Sequence, residues 1–252
     1  MSGRTVSKHV RVYAGGYDVS GYSREIGPLL WEFEPAEVVT FADAVKGALP
    51  NHCIVNPGTL NGVMDATATV GLHVIASTVA RRIITVAIGD RAAPAAGVPV
   101  YCGEFNQMAY QAAGDGIVTV TAPFSFAVDG TTLVYPKPWG VLLHALGAET
   151  GASTATGFDN ESGGATTFGG FFVYHVTAGD GTATLSVDDS ADNAAFSALG
   201  GATSGSIDFS TRTSGLVALS RQATVRRYLR FQIALGTATT VTFVSSFVRM
   251  FW

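Results

Sequence analysis

The reading turns on residues 171 to 247: FFVYHVT at 171–177, ATLSVD at 183–188, GSIDF at 205–209, GLVAL at 215–219, YLRFQIA at 228–234 and TVTFVSSF at 240–247. Each run is short and rich in β-branched and aromatic residues, and Gly, Asp and Asn lie between the runs. Short apolar stretches punctuated at this rhythm predict a β-sandwich. Within the fifth run, Leu229 and Phe231 fall on one face and Tyr228 and Arg230 on the other, as side chains alternate along a strand.

Working back toward the N-terminus, residues 147–170 are dominated by Gly, Ala, Ser and Thr. They supply little core and cannot readily form a helix. The composition shifts near Tyr135–Trp139, where Pro136 and Pro138 punctuate the chain. This places a boundary after residue 138, between a first β unit (1–138) and a C-terminal sandwich (139–252) of immunoglobulin-like or jelly-roll size. In the first unit, Val10–Tyr13, Val19–Tyr22, Leu29–Phe33, Leu60–Met64, Ile83–Ile88, Val98–Tyr110 and Val118–Phe126 carry strand signals. Leu72, Ile75, Val79 and Ile83 recur at helical spacing, so one helix is expected within about 65–82, with Asp65 as its cap. From Glu34 to Asn56 no period is visible. So long an irregular segment reads either as an arm reaching a neighbour or as an ordered surface loop. The expected class is all-β with one short helix.

The 252 residues are 47% hydrophobic, 13% charged and carry a net charge of −4. The charged fraction is well under the roughly 25% of a typical soluble domain. Either partners cover much of the surface or a Ser/Thr-rich surface stands in for charge. The charge is even, −2 in each half. No basic run stands out, and Arg226, Arg227 and Arg230 make too small a cluster for tight nucleic-acid binding. No apolar run reaches the roughly 18 residues of a membrane span. The polar stretch Met1–His9 has no apolar core of a secretory signal, so synthesis in a cytoplasm is expected.

Reactive chemistry is hard to find. Gly163–Gly164 and Gly200–Gly201 lack the context of a phosphate-binding loop, and no G-x-S-x-G elbow occurs. His9, His52, His73, His144 and His175 have no second His or Cys at metal-ligand spacing. Cys53 and Cys102 fit no zinc or redox pattern and read as buried or half-buried thiols. Asp188–Asn193 faintly resembles a calcium loop, but Asn193 and Leu199 stand where Gly and Glu are required, so a solvated turn is expected. Glu32, Glu34 and Glu37 read equally as a solvated edge or an acidic lining. Trp252 reads as an interface residue or as the close of the last strand. A glycosidase would need two placed carboxylates in a cleft, and no aromatic-rich stretch marks one. The chain is expected not to be an enzyme, and no cofactor or metal is expected.

Several segments, in order, resemble the major tail tube proteins of phages with long non-contractile tails and of related gene-transfer particles. GYDVSGY at 16–22 resembles their first strand–turn–strand. VTFAD at 39–43 followed by GALP at 47–50 resembles their long loop, although the chain departs from it around Pro50–Asn56, where the family often has Gly-Leu after the Pro. Ile84–Arg91 and Gly97–Gln111 resemble their later core strands. Val187–Phe196 and Arg226–Arg230 are similar to segments of the sandwich domains appended to such proteins.

The resemblance implies a tail-tube-type β-sandwich or barrel with a long inter-subunit loop, followed by a peripheral sandwich. It implies a virion protein of the tail, a homo-oligomer of six-subunit rings stacked into a hollow tube, assembled in the host cytoplasm. Tape measure, terminator and distal tail proteins would be its partners, and DNA would pass through without specific binding. The loop would use Val38, Val39, Thr40, Phe41, Asp43, Leu49 and Pro50 toward the next subunit. A second reading is a decoration or adhesion protein whose sandwich binds a cell-surface glycan. On the first reading, the chain cut after residue 138 is expected still to fold and polymerise.

Overall fold

The computed structural model describes residues 7–38, 47–68, 70–90, 92–114, 116–126, 137–151, 153–154, 156–160 and 163–251. After a 3-10 turn at Ser7–His9 come β1 (Val10–Ala14), β2 (Tyr17–Asp18), β3 (Ser23–Gly27), β4 (Leu30–Val38), β5 (Gly47–Asn56) and β6 (Thr59–Val63). The helix α1 (Leu72–Ala76) precedes β7 (Arg81–Ile88), β8 (Pro99–Gln107), β9 (Gln111–Ala113) and β10 (Thr119–Phe126). The second half holds β11 (Trp139–Glu149), β12 (Ser153–Thr154), β13 (Phe158–Asp159), β14 (Gly170–Gly179), β15 (Thr182–Ser190), β16 (Ser197–Asp208), β17 (Thr213–Ala218), β18 (Tyr228–Leu235) and β19 (Val241–Arg249). The fold is all-β with a single short helix, and every described strand pair is antiparallel.

Strand β8 is the branch point. One of its edges pairs with β7, and through it with β1 and β2. Its other edge pairs with β11 at Pro99–Tyr101 and with β10 at Phe105–Gln107. Through β11 the ladder continues to β19, β14 and β17. Through β10 it continues to β6 and β3, with β9 on the far side of β10. A separate sheet, with β12 and β13 on β18 and then β15 and β16, closes the C-terminal sandwich.

Side-chain alternation sorts these strands around three cores. Val12, Ala14, Ile84, Val86, Tyr101 and Phe105 face one way, against Leu60, Val120 and Ala122 and the helix residues Leu72 and Ile75. Tyr13, Ile83, Ala87, Val100 and Cys102 face the other way, against Leu142, Phe171, Val173, Val244 and Val248. The opposite faces of those C-terminal strands, with Leu143, Phe172, Val176 and Phe243, pack on Leu185, Val187, Leu229 and Ile233. The two inner layers are therefore buried on both faces. This explains why the 171–176 stretch FFVYHV, His175 apart, is apolar on both faces rather than alternating. Full burial of each such Val, Leu or Phe is worth about 1.5–3 kcal/mol.

The middle core also holds polar groups, and they find partners. The Gly16 N–H donates to His175 Nδ1 at 3.3 Å, and His175 Nε2 lies 2.9 Å from Thr85 Oγ1. Gly16 has φ +88°, and a Cβ there would meet the Thr213 backbone at 2.7–2.8 Å, so only glycine lets the halves approach this closely.

Three expectations change. Residue 138 falls at a strand boundary, but the β8–β11 ladder and the middle core both cross it, so the halves share hydrogen bonds and packing. The helix expected within 65–82 is there, at Leu72–Ala76, but Asp65 does not cap it. Gly71 sits at its N-cap, and Asp65 instead closes the preceding turn, accepting Thr67 N–H on Oδ1 at 2.6 Å and His73 N–H on its carbonyl at 3.0 Å. β-branched Thr67 and Val70 disfavour an earlier start, and Arg81 already belongs to β7. The aperiodic 34–56 segment is mostly a two-stranded ribbon, β4 with β5.

Candidate functional site: the β4–β5 ribbon

Among the described residues the ribbon pairs with no other strand. Its register runs from Leu30↔Asn56 to Val38↔Gly47, with one irregularity between Phe33 and Pro35. Pro35 and Pro50 face each other. Proline removes a ladder donor and is tolerated where a strand has a free edge, and in a two-stranded ribbon both strands have one. The prolines, together with Glu, Ala, Gly and Asn, lower β-propensity and hid the hairpin from a periodicity reading.

The base is anchored. Val55 is buried, Trp31 and Cys53 pack against the first core, and the Tyr101 hydroxyl donates to the Leu30 carbonyl at 2.7 Å. Beside it, Gly58 (φ +74°) approaches Gly27 so closely that a Cβ would lie 2.2 Å from the Gly27 carbonyl carbon.

The distal half is different. Phe33 is 39% exposed, Val38 45% and Leu49 60%. Pro50, Glu32, Glu34 and Glu37 are exposed as well. Of the expected loop residues, Val38, Leu49 and Pro50 therefore lie together at the outer end of one ribbon. Val39, Thr40, Phe41 and Asp43 lie outside the described residues. Sequence reading missed Phe33, whose alternation with Glu32 and Glu34 was the available signal.

The other polar candidates are occupied. Asp189 carries Arg226 at 2.6 Å, Asp188 carries Arg230 at 2.9 Å, and Asp159 carries Arg227 at 2.6 Å. Asp192 accepts the Ala194 and Ala195 amides, both at 2.9 Å, which hold its carboxyl down at about 2. The acids of the 188–193 turn thus serve arginines and backbone. Among the described residues no group of three or more His, Cys, Asp or Glu side chains could hold a metal ion.

His144 lies between the Phe231 and Phe243 rings, with Nδ1 3.1 Å from the Phe243 carbonyl and Nε2 3.1 Å from Glu149. Burial pushes its pKa down, while Glu149 and the carbonyl pull it back. His73 Nδ1 meets the Tyr110 hydroxyl at 2.6 Å. In His175, Nδ1 accepts the Gly16 N–H, so the neutral ring carries its proton on Nε2 and donates it to Thr85. That tautomer is wrong for a base acting on the threonine hydroxyl, and burial pushes the pKa down to about 3. Cys53 and Cys102 are both free thiols, and burial raises Cys102 to about 12.

Comparison with known proteins gives little. No protein-family model matches the chain, and no curated protein matches it. Among solved structures, the chain is similar to the Dit protein of phage SPP1, described as a paradigm of the hub adsorption apparatus in phages infecting Gram-positive bacteria. The identity is 11% and the TM-score 0.33, over 94% of this chain and 98% of that one.

Proposed function

We propose that this chain is a structural subunit of a phage tail that works by assembling with copies of itself. In its finer form the proposal is a major tail tube protein: rings of six subunits, stacked into a hollow tube through which DNA passes. The observation that carries it is the β4–β5 ribbon, anchored at its base and exposed along its outer half, with Phe33, Val38 and Leu49 presented to solvent. Large apolar groups gathered on an arm mark an interaction site. A contact between one patch and a different patch on the next copy is heterologous, and it closes into a ring or continues as a filament. The low charge of the chain and the ordered series of tail-tube-like segments support the same reading. On this proposal the work is geometric, and no side chain performs a reaction.

The test is electron microscopy of the purified full-length protein across a concentration series. Rings or hollow tubes are the expected result. A particle that stays monomeric at the highest soluble concentration would overturn the proposal.

A further inference from the structure

A groove of about 400 Å³ lies between β1 and β3, lined by Lys8, Val10, Arg11, Arg24, Glu25 and Ile26 among others. Three cations face one acid there, in a chain whose net charge is −4. Lys8 and Arg24 have no acidic partner among the described residues. Arg11 donates only to the Lys8 and Val10 carbonyls, at 3.0 and 3.1 Å. Among the described residues strand β3 pairs on one side only, with β6. Along β1, pairing with β2 reaches only Tyr13 and Ala14, and away from β7 Val12 accepts the Val19 N–H at 3.0 Å and donates to Ser20 Oγ at 2.9 Å, so the edge left beside the groove is short and lies at Val10. The groove is thus a basic, partly apolar slot bordered by two strand edges.

The β4–β5 ribbon has the opposite character. It carries Glu32, Glu34 and Glu37 and no Lys or Arg among its described residues, with Phe33 between Glu32 and Glu34 and Val38 next to Glu37. We infer that the ribbon of a second copy docks in the β1–β3 groove, its acids against Lys8, Arg11 and Arg24 and its apolar side chains toward Val10 and Ile26. This inference rests on the self-assembly reading above and names the seat that the arm takes. The charges select the partner and speed the encounter, and the apolar groups supply the contact area.

The test compares full-length wild type with Lys8→Glu/Arg24→Glu, with Glu32→Lys/Glu37→Lys, and with the four-fold combination. Association is read by sedimentation velocity and electron microscopy, and folding by thermal unfolding. Each reversal alone should weaken association by about tenfold or more while the unfolding temperature stays near wild type. The combination, which restores opposite charges, should recover most of the loss. Wild type should also associate less as salt rises from about 0.05 to 0.5 M, as screening predicts.

If wild type assembles and both reversals leave association unchanged, the docking is overturned and self-assembly stands. The same follows if Ile117→Asp, at an exposed apolar position outside the groove, blocks assembly while the groove reversals do not. A wild type that never associates removes the function proposal and the docking together. Saturable binding of an oligonucleotide, lost in Arg24→Glu while assembly persists, would assign the groove to nucleic acid and overturn the docking.

Discussion

Two antiparallel strand pairs of matching length meet opposite environments. Strands β14 and β19, of 10 and 9 residues, are buried on both faces at the centre of the molecule. Strands β4 and β5, of 9 and 10 residues, leave the sheets and stand mostly in solvent. The first pair is written FFVYHVT and VTFVSSF, the second EFEPAEV and GALPNHC. Within each pair the ladder is similar, although the outer edges of β14 and β19 pair with β17 and β11 and those of β4 and β5 pair with no described strand. What differs is where the side chains find apolar neighbours: for β14 and β19 inside the chain, for β4 and β5 on the proposal above in another copy.

The strongest way to break this contrast is to cut the chain. Ending it at residue 138 removes β11, β14 and β19 and bares Tyr13, Ile83, Ala87, Val100 and Cys102 at once. The fragment 1–138 should lose cooperative unfolding and precipitate. A soluble fragment with a sharp thermal transition would show that the middle core is dispensable.

Point substitutions sharpen the contrast on a smaller scale. Phe172→Ala, at a fully buried position, should cost about 3–5 kcal/mol in denaturant titration. Phe33→Ala, on the arm, should cost less than about 1 kcal/mol in the free subunit, yet impair association. Equal costs at the two sites would erase the distinction.

Acid is the mildest probe. Burial holds His175 at about 3 in the native state, against 6.5 in a free chain. The unfolded chain takes up a proton that the native state refuses. His175 therefore stabilises the fold fully above pH 6.5, and that share is lost progressively as pH falls toward 3. Between pH 7 and 4.5 the loss is about 2–3 kcal/mol. His175→Gln does not titrate, so its stability should fall by that much less over the same interval. An identical pH dependence in both proteins would mean that the ring is not sealed between the halves.

Five of the six C-terminal strands were legible from short runs rich in β-branched or aromatic residues, but β16 begins at Ser197, well before the 205–209 run, because its Gly-, Ala- and Ser-rich first part carries no such signal. Leu229 and Phe231 face the core as alternation required. The sharing of a sheet across residue 138 was not legible. Val100 and Tyr101 carry no mark saying whether β11 or another strand will pair with them, since register between distant strands is set by packing. The 171–176 run, apolar on both faces save for His175, was the available clue, because a strand with one solvated face would alternate. The arm was legible as a segment without a period and illegible as a hairpin. Its prolines and glutamates suit an exposed ribbon but resemble a loop on any propensity scale.

Strand β8 ties the halves through a ladder and not through a linker. In a multi-domain chain joined by a tether, a push on one end is absorbed by rotation at the joint. Here the seam is stitched by backbone bonds across Trp139–Val141 and filled by side chains on both sides. Among the described residues the path from the base of β4–β5 to the outer sheet of β15, β16 and β18 runs through packed cores and paired strands, so on the proposal above a load on the arm is taken up by packing and not by rotation at a joint.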